Sequence, residues 1–236
     1  MRASPVTLPN SCIVLDKQTV SSDYFLLILE KPAGFIYKAG QCIGVGFPDT
    51  IDEEAKIFSI ASSPTEDKII LLVKHGASDY KKSLMAIKLG DKLLVSEPMG
   101  GFEFGDQRPA IMIAGGMGIA PFRSIVKYLI DCECEQKTLL IHLHPASQSP
   151  FANDFTGWQR MYKFLQLKTL NEVTKRLDLQ ELLRQQRMEF GSLSPVYYLA
   201  GPSDMVISCR QTLEEIGVHS ELVRADGQLT AVLLGR

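Results

Sequence analysis

No stretch of this 236-residue chain is apolar for long enough to cross a bilayer; the nearest, Pro109 to Phe122, is short and interrupted by glycine. No apolar core follows Met1-Arg2-Ala3-Ser4-Pro5, so no secretory signal is expected, and the reading is a soluble, cytoplasmic protein without membrane insertion. A surplus of charge is absent as well. Twenty-five Lys and Arg against 27 Asp and Glu leave a net charge of −2, which sets up no field for nucleic acid or an anionic membrane. The five cysteines, Cys12, Cys42, Cys132, Cys134 and Cys209, fall at no zinc or iron–sulfur spacing. Cys132 and Cys134 fit either a redox or metal pair or two ordinary thiols beyond a helix end, and the second reading is preferred. The four histidines are scattered. His142 and His144 share one side of an expected strand without Cys or acidic ligands nearby, and are read as packing or solvent-facing, not metal-binding. No metal site is expected.

Glycine, by contrast, is concentrated where it carries information. The apolar run Ala110-Ile111-Met112-Ile113-Ala114 ends in Gly115-Gly116-Met117-Gly118, followed by Ile119-Ala120-Pro121-Phe122 and the amphipathic stretch Arg123 to Ile130. This is a buried strand, a tight turn and a helix start. Such a junction lets a phosphate approach backbone N–H groups with no side chain in the way. A tight turn without a ligand fits equally well, and the spacing Gly-Gly-x-Gly differs from Gly-x-Gly-x-x-Gly.

A second signal lies upstream, in Lys56-Ile57-Phe58-Ser59-Ile60-Ala61-Ser62-Ser63-Pro64. On an extended strand Lys56, Phe58 and Ile60 face one way, and Ile57 and Ser59 the other. A planar ring system with a phosphate tail needs a cation, an aromatic face and small polar donors at its edge. An edge strand with one buried aromatic is the alternative.

The rhythm of the chain divides it in two. Short β-rich segments at Ile13–Asp16, Tyr24–Glu30, Gln41–Phe47, Ile57–Ile60, Lys68–Lys74 and Lys92–Ser96 are separated by turn signals, with one helical stretch, Asp79–Leu89. They predict a six-stranded antiparallel β-barrel over residues 1–105. From 106 to 236 strands alternate with helices: strands Ala110–Ala114, Thr138–Leu143, Leu165–Leu170, Val196–Ala200 and Val218–Val223, and helices Ala120–Asp131, Phe151–Phe164, Asp178–Arg187 and Ser203–Ile216. That alternation predicts a doubly wound parallel α/β unit, so the fold class is β followed by α/β.

With these motifs in this order the chain resembles the ferredoxin–NADP reductase superfamily of flavoprotein electron-transfer enzymes, over nearly its whole length. Lys56-Ile57-Phe58-Ser59 stands where that family has Arg-x-Tyr-Ser. Glu97-Pro98-Met99-Gly100-Gly101-Phe102 resembles its Gly-Pro-x-Gly-x-Phe barrel end. Gly115 to Pro121 is similar to its Gly-Gly-Thr-Gly-Ile-Ala-Pro loop, and Ala200-Gly201-Pro202-Ser203-Asp204-Met205 to its Cys-Gly-Pro-x-x-Met strand end. The resemblance implies FAD on the barrel, with FMN as the alternative, and NAD(P)H on the α/β unit. Phe58 would stack on the flavin ring, and Ser59, the catalytic candidate, would hydrogen-bond near its N5. Lys56 would neutralise its phosphate. Val73 and Lys74 would offer backbone groups to the ring edge, and Ser83 would meet the pyrophosphate at a helix start. Gly115, Gly116 and Gly118 would admit the nicotinamide dinucleotide, with Gly201, Pro202 and Met205 beside the nicotinamide.

The implied activity is transfer of hydride from NAD(P)H to FAD, with electrons passed to a separate acceptor: a ferredoxin, a flavodoxin, an oxygenase component or a small molecule. Lys56 for Arg, Phe58 for Tyr, Met117 for a small hydroxyl residue and Ala200 for Cys depart from the family pattern, and Tyr80 stands where a glycine often precedes the phosphate residue. Phe58, Met117 and Ala200 support one alternative, a catalytically weakened binding module; the absence of an iron–sulfur domain leaves open another, an electron-transfer subunit of a larger dehydrogenase.

Overall fold

The computed structural model describes residues 6–48, 55–102, 104–105, 107–144, 149–170, 179–185 and 194–225. The first half is a six-stranded antiparallel sheet of β1 (Asn10–Thr19), β2 (Tyr24–Glu30), β3 (Cys42–Gly46), β4 (Lys56–Ser59), β5 (Lys68–Lys74) and β6 (Lys92–Val95), in the order β4-β3-β6-β1-β2-β5. A bridge from Ile60 to Leu71, with the Ala61 N–H donating to Ile70 O at 2.8 Å, joins the two ends and closes the barrel. Closure leaves no long exposed edge. Helix α1 (Asp79–Ala86) spans β5 and β6.

β2 and β5 are apolar on both faces for a physical reason. Phe25, Leu27, Leu29, Ile69, Leu71 and Val73 fill the barrel interior, while Tyr24, Leu26, Ile70 and Leu72 pack outward into a core shared with the second half. β1 keeps the ordinary alternation, with Cys12 and Val14 inward.

The second half is a parallel sheet in the order β11-β10-β7-β8-β9, formed by β7 (Ala110–Gly115), β8 (Thr138–Leu143), β9 (Leu165–Leu170), β10 (Val196–Ala200) and β11 (Val223–Ala225). α2 (Ile119–Asp131) and α3 (Ala152–Met161) cover one face; the helical residues 179–185 (α4) and α5 (Ser203–Glu215) cover the other. β7 is buried throughout because Ala110, Met112 and Ala114 face the first pair and Ile111 and Ile113 the second. β7 lies between β8 and β10, so the strand order reverses there; in such sheets ligands bind at the carboxyl ends beside the reversal.

One expected element moves. The strand over Val218–Val223 begins only at Val223. The Val218 N–H donates to Leu213 O at 2.9 Å and so closes the end of α5, and Ser220–Leu222 form a short 3-10 turn.

The halves are joined by a buried ion cluster. Arg123 on α2, 7% exposed, donates to Glu66 (2.9 and 3.2 Å) and to the Ala61 carbonyl (2.9 Å) on the barrel, and to Asp154 on α3 (2.7 Å). Its guanidinium lies over the rings of Phe151 and Trp158. Beside it, the Ser124 hydroxyl donates to Ser62 O at 2.6 Å, and the Tyr37 hydroxyl to Ser63 O at 2.7 Å. Burial pulls Arg123 toward neutrality, but the hydrogen bond and charge of Glu66 and the charge of Asp154 outweigh it, and the group ionises above its usual range. Removing the cation leaves two carboxylates facing each other's field with little water. Arg123→Ala should therefore lower stability by about 3 kcal/mol, the low end for breaking a buried pair because Glu66 and Asp154 keep partial access to solvent. Urea unfolding at neutral pH measures it, and a loss under about 1 kcal/mol, the range of surface pairs, would show that the cluster does not hold the halves together.

Candidate functional site

The carboxyl end of β7 is shaped by how closely two strand ends approach. A Cβ on Gly118 would fall inside contact distance of the Ala200 carbonyl and within 2.7 Å of the Gly201 N, and one on Gly115 would collide with Met205 Sδ. These two glycines are therefore required by packing between β7, β10 and α5, whatever binds above them. Gly116 differs. Its φ of +53° suits glycine, and a Cβ there would meet only the Tyr24 hydroxyl, at 3.5 Å. The open face of the turn is the face of Gly116.

Above this turn lies a crevice of about 380 Å³ between the halves. The barrel contributes Tyr24, Ile57, Phe58, Ser59, Leu72 and Lys74; the α/β half contributes Gly115, Gly116, Met117, Gly118, Ala120, Gly201 and Pro202. The size falls in the range of small-molecule sites, enough for a flat ring system whose tail extends outside. α2 starts here with Gly118 as its N-cap and no side-chain cap, so the positive end of the helix lies beside the crevice, although the Ile119 N–H is already taken by the Gly116 carbonyl and Pro121 has no N–H.

Eight of the expected site residues meet in this crevice: Phe58, Ser59, Lys74, Gly115, Gly116, Gly118, Gly201 and Pro202. Met205 sits beneath it, against Gly115 and Gly201. Three others stand apart. Lys56 is exposed at the start of β4, outside the crevice lining. The Val73 side chain is 1% exposed and belongs to the barrel core, which leaves only its main chain for a ligand. Ser83 is not at a helix start, which corrects the expectation. α1 begins at Asp79, with the Ser78 side chain accepting from Lys81 N, so Ser83 lies one turn inside the helix. It lines a different cavity, beside Phe47 and Ile87. The Ser78 hydroxyl takes the first turn's amide and so fixes the start five residues earlier.

Phe58 and Ile60 do share the barrel-facing side, Ile60 within the core and Phe58 packed at its rim. Phe58 meets Tyr80 in an offset stack at 6.4 Å and 23°. The Tyr80 hydroxyl donates to Val45 O at 2.8 Å. Tyr80 therefore backs Phe58 from the barrel side. Sequence reasoning passed over Tyr24, whose register opposite Lys74 brings it to the turn; pairing between distant strands left no local signal.

His142 is the other residue the sequence undervalued. At the end of β8, 1% exposed, it donates through Nε2 to the Gly116 carbonyl (3.1 Å) and accepts through Nδ1 from the Ser149 hydroxyl (2.6 Å). The packing expectation holds, but this packing reaches the glycine turn. His144 lies beside it, with ring centroids 5.1 Å apart, and in turn meets the Tyr24 ring. Among the described residues no cluster of Cys, His, Asp and Glu suits a metal, and Cys132 and Cys134 are exposed just beyond α2. Pro145-Ala146-Ser147-Gln148-Ser149 carries hydroxyls and an amide but no Arg and is the sequence's candidate for discriminating NADH from NADPH; all of it but Ser149 lies outside the described residues.

Residues 112–211 match the oxidoreductase NAD-binding domain family. The chain is 24% identical to flavohemoprotein A of Dictyostelium discoideum over 93% of its length, and 27% identical to reductase component 1 of a Comamonas terephthalate 1,2-dioxygenase over 90%. It spans 61% and 66% of those proteins, less than two thirds of either. Its fold superposes on a ferredoxin NADP+ reductase from Neisseria gonorrhoeae with bound FAD and NADP at a TM-score of 0.78, with 19% identity, covering 92% of this chain and 97% of that one. The fold is that of the ferredoxin NADP+ reductases: a barrel precedes a parallel sheet, and the crevice lies where the two meet. No helix among the described residues is long and apolar enough to cross a membrane.

Burial is the main cause that pushes His142 down to about 4, with His144 adding to it and the Gly116 hydrogen bond opposing it. An unfolded histidine titrates near 6.5. As pH falls, the unfolded chain takes up this proton first, so the contribution of neutral His142 is complete above about 6.5 and is lost between there and about 4. The loss is on the order of 3 kcal/mol. Urea midpoints at pH 7 and pH 4.5 should show a steeper acid decline for wild type than for His142→Gln; equal declines would mean that His142 does not titrate as a buried neutral ring.

Proposed function

We propose that this chain is a flavin-dependent NAD(P)H oxidoreductase that passes electrons to a separate acceptor, and that the crevice between barrel and sheet is its reaction site. One observation carries the reading: Phe58, Ser59 and Lys74 from the barrel and the Gly115–Gly118 turn with Gly201 and Pro202 from the sheet line a single crevice. Two ligands held on different halves could meet there.

The residues suit the groups assigned to them. Phe58, supported from behind by Tyr80, offers an aromatic surface, and Ser59 a hydroxyl donor for a ring edge. The open face of Gly116 and the uncapped start of α2 suit a dinucleotide pyrophosphate, held by amides and the positive helix end. A flavin bound there supplies two-electron acceptance from nicotinamide and onward release of electrons singly or in pairs. The protein's part is alignment: Pro202 and Gly201 limit one wall, Ile57 and Leu72 keep the other apolar, and the Arg123 cluster joining the halves fixes the distance across. The start of α1, capped by Ser78, takes over the pyrophosphate role first given to Ser83, and Lys56 is retained as an outer cation. FAD is the preferred flavin. The named activities of the similar proteins, an oxygenase reductase component and a ferredoxin NADP+ reductase, favour a protein acceptor.

The test is anaerobic mixing of the flavin-loaded chain with NADH or NADPH while following the flavin absorbance. Bleaching by either nucleotide is expected. A protein that binds flavin and is reduced by dithionite but by neither nucleotide would support the binding-module alternative instead. Phe58→Ala should weaken flavin binding by about 1–3 kcal/mol, by analogy with base stacking on aromatic side chains. An unchanged flavin dissociation constant in the folded variant would remove Phe58 from the site.

A further inference from the structure

We infer that His142 is a positioning residue for the nicotinamide dinucleotide: its Nε2–H anchors the Gly116 carbonyl, and the anchored peptide holds the turn's amides in the orientation that receives the phosphates. The inference rests on the reading of the Gly116 turn as the dinucleotide site and assigns to that site a residue outside the glycine motif.

The geometry is specific. The Gly116 oxygen accepts two hydrogen bonds, from the Ile119 N–H of the turn itself and from His142 Nε2 at 3.1 Å. A carbonyl has two lone pairs, so both acceptor sites are used. The peptide group is planar and trans, so fixing the Gly116 carbonyl toward His142 turns the Met117 N–H to the opposite side. Gly116 and Met117 both line the crevice. Gly116 has a backbone that glycine adopts freely in either hand, and nothing but the Tyr24 hydroxyl lies near its open face. The turn's own Ile119 N–H holds this carbonyl from one side, and His142 supplies a second donor from outside the turn.

The chemistry of the ring fixes its proton. A carbonyl only accepts, so Nε2 carries the hydrogen, and Nδ1 is the acceptor for the Ser149 hydroxyl at 2.6 Å. Ser149 precedes α3, so the chain Ser149–His142–Gly116 links the entry to α3 with the turn before α2. Neither end of that relay is a charged group.

The full chain is titrated with NAD+ and with NADP+ by calorimetry, using oxidised nucleotides so that no turnover occurs, and its melting midpoint is recorded alongside. His142→Phe keeps a ring and removes the donor; its nucleotide dissociation constant should rise about fivefold, the worth of one hydrogen bond. His142→Gln restores a donor and should return to within about twofold of wild type. Binding by His142→Phe equal to wild type would overturn the inference, and so would equal weakening in Phe and Gln variants, which is the mark of a residue that only fills space. Should His142→Phe not fold, Ser149→Ala leaves β8 intact and removes the hydroxyl that orients the ring through Nδ1; about threefold weaker binding is expected, and unchanged binding overturns the relay. A wild-type chain that binds neither nucleotide overturns the nucleotide reading of the turn itself, whereas a binding wild type with insensitive variants overturns only the role of His142.

Discussion

A guanidinium sealed between two halves of a protein constrains both. Arg123 cannot leave its carboxylates without stranding charge in a poorly hydrated space, so the segment Ala61–Glu66 of the barrel and the start of α3 are held at fixed places relative to α2. Both walls of the crevice run directly into this lock. Ser59 lies two residues before Ala61, and α2 begins directly after the glycine turn, four residues before Arg123. Ser124 and Ser62 repeat the connection one residue along on each side. The width of the crevice is thus set by a polar cluster that does not line it. Bridging segments of this kind transmit position, since packed interiors deform little.

The second constraint is the absence of side chains. Between β7 and β10 the glycines serve two separate ends. Gly115, Gly118 and Gly201 bring main chain and Met205 into contact, whereas Gly116 alone leaves an open face. Four glycines from two motifs, expected beside one dinucleotide, therefore divide into a packing set and a single position that can face a ligand. Substitutions in the first set would separate the strands and widen the crevice, and those at Gly116 would act on the turn itself.

Much of the fold was legible because its signals are local. The alternation in β1, the glycine-ended apolar run of β7 and the strand–helix rhythm after residue 106 need only neighbouring residues, and the structure follows them closely. What escaped depends on distant partners. β2 and β5 carry apolar residues on both faces because the other half of the molecule covers them, and Tyr24 reaches the crevice through a register with Lys74 fifty residues away. Ser83 was misplaced for a smaller reason. Two serines stand near the helix start, and only the cap geometry tells which one the amides choose; Ser78 takes the bond and Ser83 is carried inward. His142 looked like one of a strand pair without ligands, and its two partners, a main-chain oxygen and a serine seven residues on, carry no sequence mark.

The polarity of the crevice follows from the same division of labour. Lys74 is the one cation among its described lining residues, and no carboxylate lines it; the remaining polar surface is hydroxyl and main chain. Fixed amides and hydroxyls need not reorganise when charge moves, whereas long charged side chains would have to be immobilised at an entropic cost. The charged residues that matter stand behind the walls, with the Arg123 cation between the Glu66 and Asp154 carboxylates. The ionic groups of the Arg123 cluster thus fix the frame, while the crevice they hold open is lined, Lys74 apart, by apolar side chains, hydroxyls and main chain.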